Sequence, residues 1–152
     1  QLATNAQEPS EGPLELLVDG NPDTFFQSFW DEWTYPELKP TGYHHLTFDL
    51  RKEVSAFKFQ YWNRKKANGS LPKAVNIYGS PDGETWVLLA QLDNLPGDLG
   101  SSYTSELFLP EEPISHVKYE VVKGTDVYQP YFPLAEIEFY EVVRELVDPE
   151  AE

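Results

Sequence analysis

From His44 onward the apolar positions recur at every second residue. His45-Leu46-Thr47-Phe48-Asp49-Leu50 alternates cleanly, and Val54 to Asn63 puts Phe57, Phe59 and Tyr61 on one face, so both stretches predict half-buried β-strands. Val75 to Ser80 predicts another strand, closed by the turn signal Ser80-Pro81-Asp82-Gly83. Beyond it Trp86, Leu88, Ala90 and Leu92 alternate, then Tyr103 to Leu109, then His116 to Val122 with Val117, Tyr119 and Val121 inward. Ile137 to Val143 gives a last strand. No segment of useful length has helical periodicity, so about eight short strands with frequent turns predict an antiparallel sandwich or barrel.

The first part of the chain is less regular. Residues 1–13 are polar, contain Pro9, Gly12 and Pro13, show no period and read as a lead-in. Leu14 to Val18 is a short apolar run leading into a loop. Phe25, Phe26, Phe29, Trp30, Trp33, Tyr35 and Tyr43 then crowd a stretch broken by Pro36, Pro40 and Gly42, too aromatic for a solvated loop and too proline-broken for a helix. The main domain is expected over residues 14–143, followed by an acidic tail or linker at 144–152.

The chain has 152 residues, 40% hydrophobic and 14% aromatic, which suits one folded domain with a real core. No apolar run is long enough to span a bilayer. A net charge of −15, from 26 acidic and 11 basic residues, repels phosphate backbones and anionic lipid. Nucleic acid is therefore excluded as a natural partner, and membrane lipid is disfavoured, although Arg64-Lys65-Lys66 is locally basic. Without cysteine there are no disulfides and no thiol chemistry, and the redox compartment stays open. The chain contains no methionine, which reads as a processed protein or a piece excised from a longer one.

Asp19-Gly20-Asn21-Pro22-Asp23-Thr24 offers three oxygen side chains, Asp19, Asn21 and Thr24, on a path that Gly20 and Pro22 keep non-helical. Such a loop can wrap a hard cation, with Glu136 as a further carboxylate from far along the chain. The same residues also make an ordinary turn for backbone reasons alone, and spacing does not separate the two readings. His44 and His45 have no partner spacing for zinc. No Ser-His-Asp order, phosphate loop or HExxH motif is visible, and scattered carboxylates do not make a glycosidase, so an enzyme in its own right is not expected.

Several landmarks, in order, resemble the discoidin or coagulation factor V/VIII type C domain, and especially its sugar-binding branch, carbohydrate-binding module family 32. They are Val18 to Thr24, Ser28-Phe29-Trp30, His44 to Leu50, Tyr61-Trp62-Asn63-Arg64, Ile77 to Trp86 and Leu134 to Tyr140. The resemblance implies a galactose-binding-domain-like jelly roll of two antiparallel sheets. It also implies a structural calcium, with side-chain oxygens from Asp19 and Glu136, side chain or backbone of Thr24, and backbone carbonyls of Leu16, Asn21 and Ala135. For ligand binding it points to Gln27, Trp30, Arg64, Asn68 and Tyr131. An aromatic ring would pack on the C–H face of a sugar while polar groups address its hydroxyls. Gln27 stands where galactose-binding members often carry His, which leaves galactose specificity open. Asn68-Gly69-Ser70 also fits the N-glycosylation pattern.

The implied function is noncatalytic: a glycan-binding module, monomeric, within a larger secreted or cell-surface protein, such as an accessory domain of a glycoside-active enzyme. The competing expectation is a protein-interaction or adhesion module on the same fold, using Trp33, Tyr35, Tyr128 and Tyr131 as an apolar patch.

Overall fold

The computed structural model of the chain describes residues 1–66, 70–126 and 130–143. Asn68, Tyr128 and the tail 144–152 lie outside the described residues. Among the described residues ten strands run in chain order: β1 (Leu2–Thr4), β2 (Phe26–Gln27), β3 (His45–Val54), β4 (Phe57–Trp62), β5 (Pro72–Ser80), β6 (Val87–Leu92), β7 (Ser102–Thr104), β8 (Ile114–Gly124), β9 (Pro133–Leu134) and β10 (Glu136–Glu141). Among the described residues the only helical elements are two short 3₁₀ turns, Leu14–Val18 and Pro36–Leu38. The first coincides with the short apolar run, and it sinks Leu17 completely.

One sheet has the order β1-β3-β8-β5-β6, a second the order β10-β4-β7, and β2 and β9 form a small pair. Every strand pairing is antiparallel. Alternation drives the layering. Phe57, Phe59 and Tyr61 of β4 are buried, as are Val117, Tyr119 and Val121 of β8 and Val75 and Ile77 of β5. The layers meet through rings: Phe59 and Tyr61 set their edges against Tyr119 at centroid distances of 6.4 and 5.8 Å, geometry that suits the opposed charge of ring edge and face.

Three details depart from the sequence expectation. The polar first stretch is packed into the fold: β1 pairs with β3, and Ala6 and Glu8 are buried. The run Tyr103 to Leu109 shortens to β7, followed by a single bridge between Phe108 and Phe57. In β6 the alternation breaks. Ala90 and Leu92 lie opposite Ile77 and Val75, but the register shifts by one at Leu89, which sets Leu88 opposite Tyr78. An extra residue in one strand reverses the faces beyond it, so Leu88 is exposed and Leu89 packs on the core.

The turn after β5 forms as expected. Asp82 Oδ1 accepts the N–H groups of Glu84 and Thr85, both at 2.8 Å, and these bonds hold its carboxyl down at about 2. Gly83 has φ +82°, a conformation that a side chain would strain.

Candidate functional site

Two regions gather the chemistry, and both involve the chain around Asp19 to His44. In the first, the Leu14–Val18 turn delivers Asp19 to a loop bonded to itself. Asn21 N–H donates to Asp19 Oδ1 at 2.9 Å and lies 3.1 Å from Glu136 Oε1. Thr24 Oγ1 lies 2.5 Å from Asp19 Oδ2 and 2.9 Å from the Asn21 carbonyl, so three oxygens converge. Gly20, at φ +77°, allows the chain to curl there.

Glu136, at the start of β10, brings a second carboxylate against Asp19. Burial, and then the Asp19 carboxylate, push Glu136 up to about 7, while Asp19 itself is held below its usual value by the Glu136 contact, Thr24 and Asn21. Two facing carboxylates with one strongly raised mark a site that lacks positive charge. Among the described residues no cluster of three or more His, Cys, Asp or Glu forms, so any cation here depends on hydroxyl and carbonyl oxygens as well. Oxygen-only ligands of this kind fit calcium's preferences. Ala135 is fully buried and tied by its N–H to the Trp62 carbonyl at 2.9 Å, which fixes the approach of Glu136.

The second region is a groove of about 580 Å³ at the end of the sandwich, bordered by Trp30, Trp33, Lys39, His44 and Tyr131 among others. Its wall is held from behind by a residue that the sequence did not single out. Glu8 is buried, and its Oε1 accepts the N–H groups of Trp30 (3.1 Å) and Asp31 (2.9 Å), while Oε2 accepts Ser10 N–H and the Ser10 hydroxyl (2.6 Å). Burial pushes the Glu8 carboxyl up, but these hydrogen bonds prevail and leave it below its usual value. Trp30 is further fixed by Nε1–H donating to Glu11 Oε1 at 3.0 Å. Lys39 and Glu32 pair across the loop at 3.3 Å, an exposed contact worth little by itself.

His44 borders the same groove while 3% exposed. Its Nδ1 lies 2.8 Å from Ser28 Oγ, and that oxygen accepts the Phe132 N–H at 2.8 Å. Burial, and then the neighbouring His45, lower His44 to about 4, so it is neutral at physiological pH.

The five ligand residues expected from the resemblance are thus placed differently. Trp30, 44% exposed, and the half-buried Tyr131 line one groove. Gln27 is buried in β2, with Nε2 donating to the Ser28 carbonyl at 3.0 Å. Arg64 lays its guanidinium over the Phe25 ring, 3.7 Å from the centroid, a contact that orders it from below. Asn68 lies outside the described residues. Trp33 is almost entirely exposed and Tyr35 half-buried.

A comparison with curated protein sequences gives no match. Solved structures do match. A module of a Clostridium perfringens protein, CpGH89CBM32-5 in complex with GalNAc-β-1,3-galactose, has TM-score 0.73 and 19% identity over 92% of this chain and 94% of its own. The family 32 carbohydrate-binding module of C. perfringens NanJ, in complex with galactose, has TM-score 0.66 and 15% identity over 92% and 93%. The C-terminal domain of a Bacteroides fragilis chitobiase has TM-score 0.70 and 16% identity over 95% of each chain. These likenesses show the jelly-roll fold. The family model of the F5/8 type C domain matches residues 1–132, most of the chain's length, and on that match the chain belongs to the F5/8 type C, or discoidin, domain family.

Proposed function

We propose that this domain is a noncatalytic carbohydrate-binding module, fastened by a structural calcium ion, that directs a larger secreted or cell-surface protein to glycans. The observation that carries the reading is the groove in which Trp30, Trp33 and Tyr131 stand beside Lys39 and His44. Flat apolar rings next to directed polar groups are what a sugar requires, because its C–H faces pack on rings while its hydroxyls need donors and acceptors. Family 32 modules among the structural neighbours are held in complex with galactose and GalNAc-β-1,3-galactose, which supports a galactose-type glycan as the ligand class. Such shallow sites are weak when single, near the millimolar end of about −4 kcal/mol, and gain strength through copies or tethering.

Asp19, Asn21, Thr24 and Glu136, with the carbonyls of Leu16 and Ala135, would hold the calcium. The ion would supply positive charge that balances the two facing carboxylates and ties the early loop to β10. The test of binding is a glycan-array screen of the calcium-loaded domain displayed multivalently. Binding to a coherent set of glycans is the expected outcome. A blank array, with a protein captured instead, would move the function to adhesion.

A further inference from the structure

Trp33 is 96% exposed, more than any other large apolar side chain among the described residues, yet it lies beside an ordered groove instead of on a free loop. Its loop is pinned on several sides. Asp31 Oδ1 accepts the Thr34 N–H at 3.1 Å, the Asp31 carbonyl accepts the Tyr35 N–H, and Glu8 holds the Asp31 backbone. The Pro36–Leu38 turn and the Lys39–Glu32 pair close the far side. A large ring carried into water on a backbone pinned by this many bonds leaves apolar area uncovered, which the fold alone does not require.

The groove is also bordered by more than one ring. Trp30 and Tyr131 border it together with Trp33, and about 580 Å³ lies within the range of small-molecule sites. His44 adds direction. The Ser28 oxygen already accepts the Phe132 N–H, and His44 Nδ1 is the acceptor within reach of the Ser28 hydroxyl proton. In the tautomer in which Ser28 donates to Nδ1 the imidazole proton is on Nε2, so a hydrogen bond from this ring into the groove is given by an N–H.

Resting on the glycan-binding reading, we infer that the groove binds at least two contiguous units of a neutral oligosaccharide, one on Trp30 and Tyr131 and the next on Trp33, with His44 Nε2–H as donor to a sugar oxygen. Neutrality follows from the field of the chain, which at −15 overall disfavours an acidic sugar. Trp33 adds ring area at reduced ordering cost, because the backbone that carries it is already held before the ligand arrives.

The test is calorimetric titration of the calcium-loaded domain and its Trp33→Ala variant with galactose, N-acetylgalactosamine, glucose and N-acetylglucosamine, each as monosaccharide and as its β-linked di- and trisaccharide. Trp33 is so exposed that its removal leaves folding intact, which a melting curve checks. The expected result is a disaccharide at least fivefold tighter than its monosaccharide in the parent domain. In Trp33→Ala that gain disappears while monosaccharide affinity stays the same. Monosaccharide binding with no gain from chain length, or a gain that survives Trp33→Ala, overturns the two-unit groove and leaves the module reading standing. Absence of binding by every sugar in the series overturns both.

Discussion

The loop from Asp19 to Thr24 and the groove around Trp30 and Tyr131 are held in opposite ways. In the loop, backbone and side chains bond one another and Glu136, and the tension is between two carboxylates that face each other. In the groove the polar bonds lie behind the rings, through Glu8, Glu11 and Ser28, and the rings turn their area to solvent. The first region concentrates charge that a cation would relieve, and we read it as a device for stability. The second leaves apolar surface uncovered on a pinned backbone, and we read it as a device for recognition. Changes at the loop should therefore move melting and leave sugar contacts intact, and changes at the exposed rings should do the reverse.

The largest effect expected is that of calcium. At a concentration about a thousand times its dissociation constant a native-state ligand adds roughly 4 kcal/mol, or on the order of 10 °C in a domain of this size. Scanning calorimetry should show that gain against chelator, and Asp19→Ala or Glu136→Ala should erase it. Equal melting with calcium and with chelator in the parent domain would remove the ion from the account.

Next comes pH in the absence of metal. Glu136 has its folded value raised from 4.5 to about 7, so the folded state holds a proton that the unfolded chain has released. Stability is then greatest below about pH 4.5 and is lost as pH rises towards 7, by at most about 3 kcal/mol. Chelated protein should melt lower at pH 8 than at pH 5, and calcium should reduce that difference. A metal-free domain more stable at pH 8 would contradict the facing carboxylates.

Glu8→Ala probes the link between frame and groove. It leaves the N–H groups of Trp30 and Asp31 without their acceptor, at a cost of about 1–3 kcal/mol, and should weaken glycan binding as well. Loss of stability with unchanged affinity would show that the groove does not depend on this frame. Tyr131→Ala should cost about tenfold in glycan affinity, about 1.4 kcal/mol, with little change in melting. The smallest effect belongs to Arg64→Ala, where loss of the Phe25 contact should cost about 1 kcal/mol of stability. Unchanged stability there, with sugar binding abolished, would support the ligand role that the family resemblance implies for Arg64.

Much of the sandwich was legible because strands β3, β4, β5, β8 and β10 carry a side-chain period of two along a half-buried sheet. Strands β1, β2 and β9 were not, since two or three residues are too few to display a period. The shift at Leu89 was hidden for another reason: a bulge depends on the partner strand, whose register the local sequence does not state. Around the groove, Trp30 and Tyr131 were expected from the family resemblance, and both border it. Glu8 gave no signal, because one carboxylate among 26 acidic residues looks like solvated surface until its burial is seen. His44 was passed over because only a zinc role was sought for it. Its bond to Ser28 crosses sixteen positions, and no short motif records such a contact.

The most direct test of the division between loop and groove is a backbone and indole NMR titration of the calcium-loaded domain with GalNAc-β-1,3-galactose. The expected result is a set of shifts confined to Trp30, Trp33, His44 and Tyr131, with Asp19 to Thr24 and Glu136 unmoved. Shifts centred on the loop, or on the far end of the sandwich at Leu88 and Leu109, would contradict it.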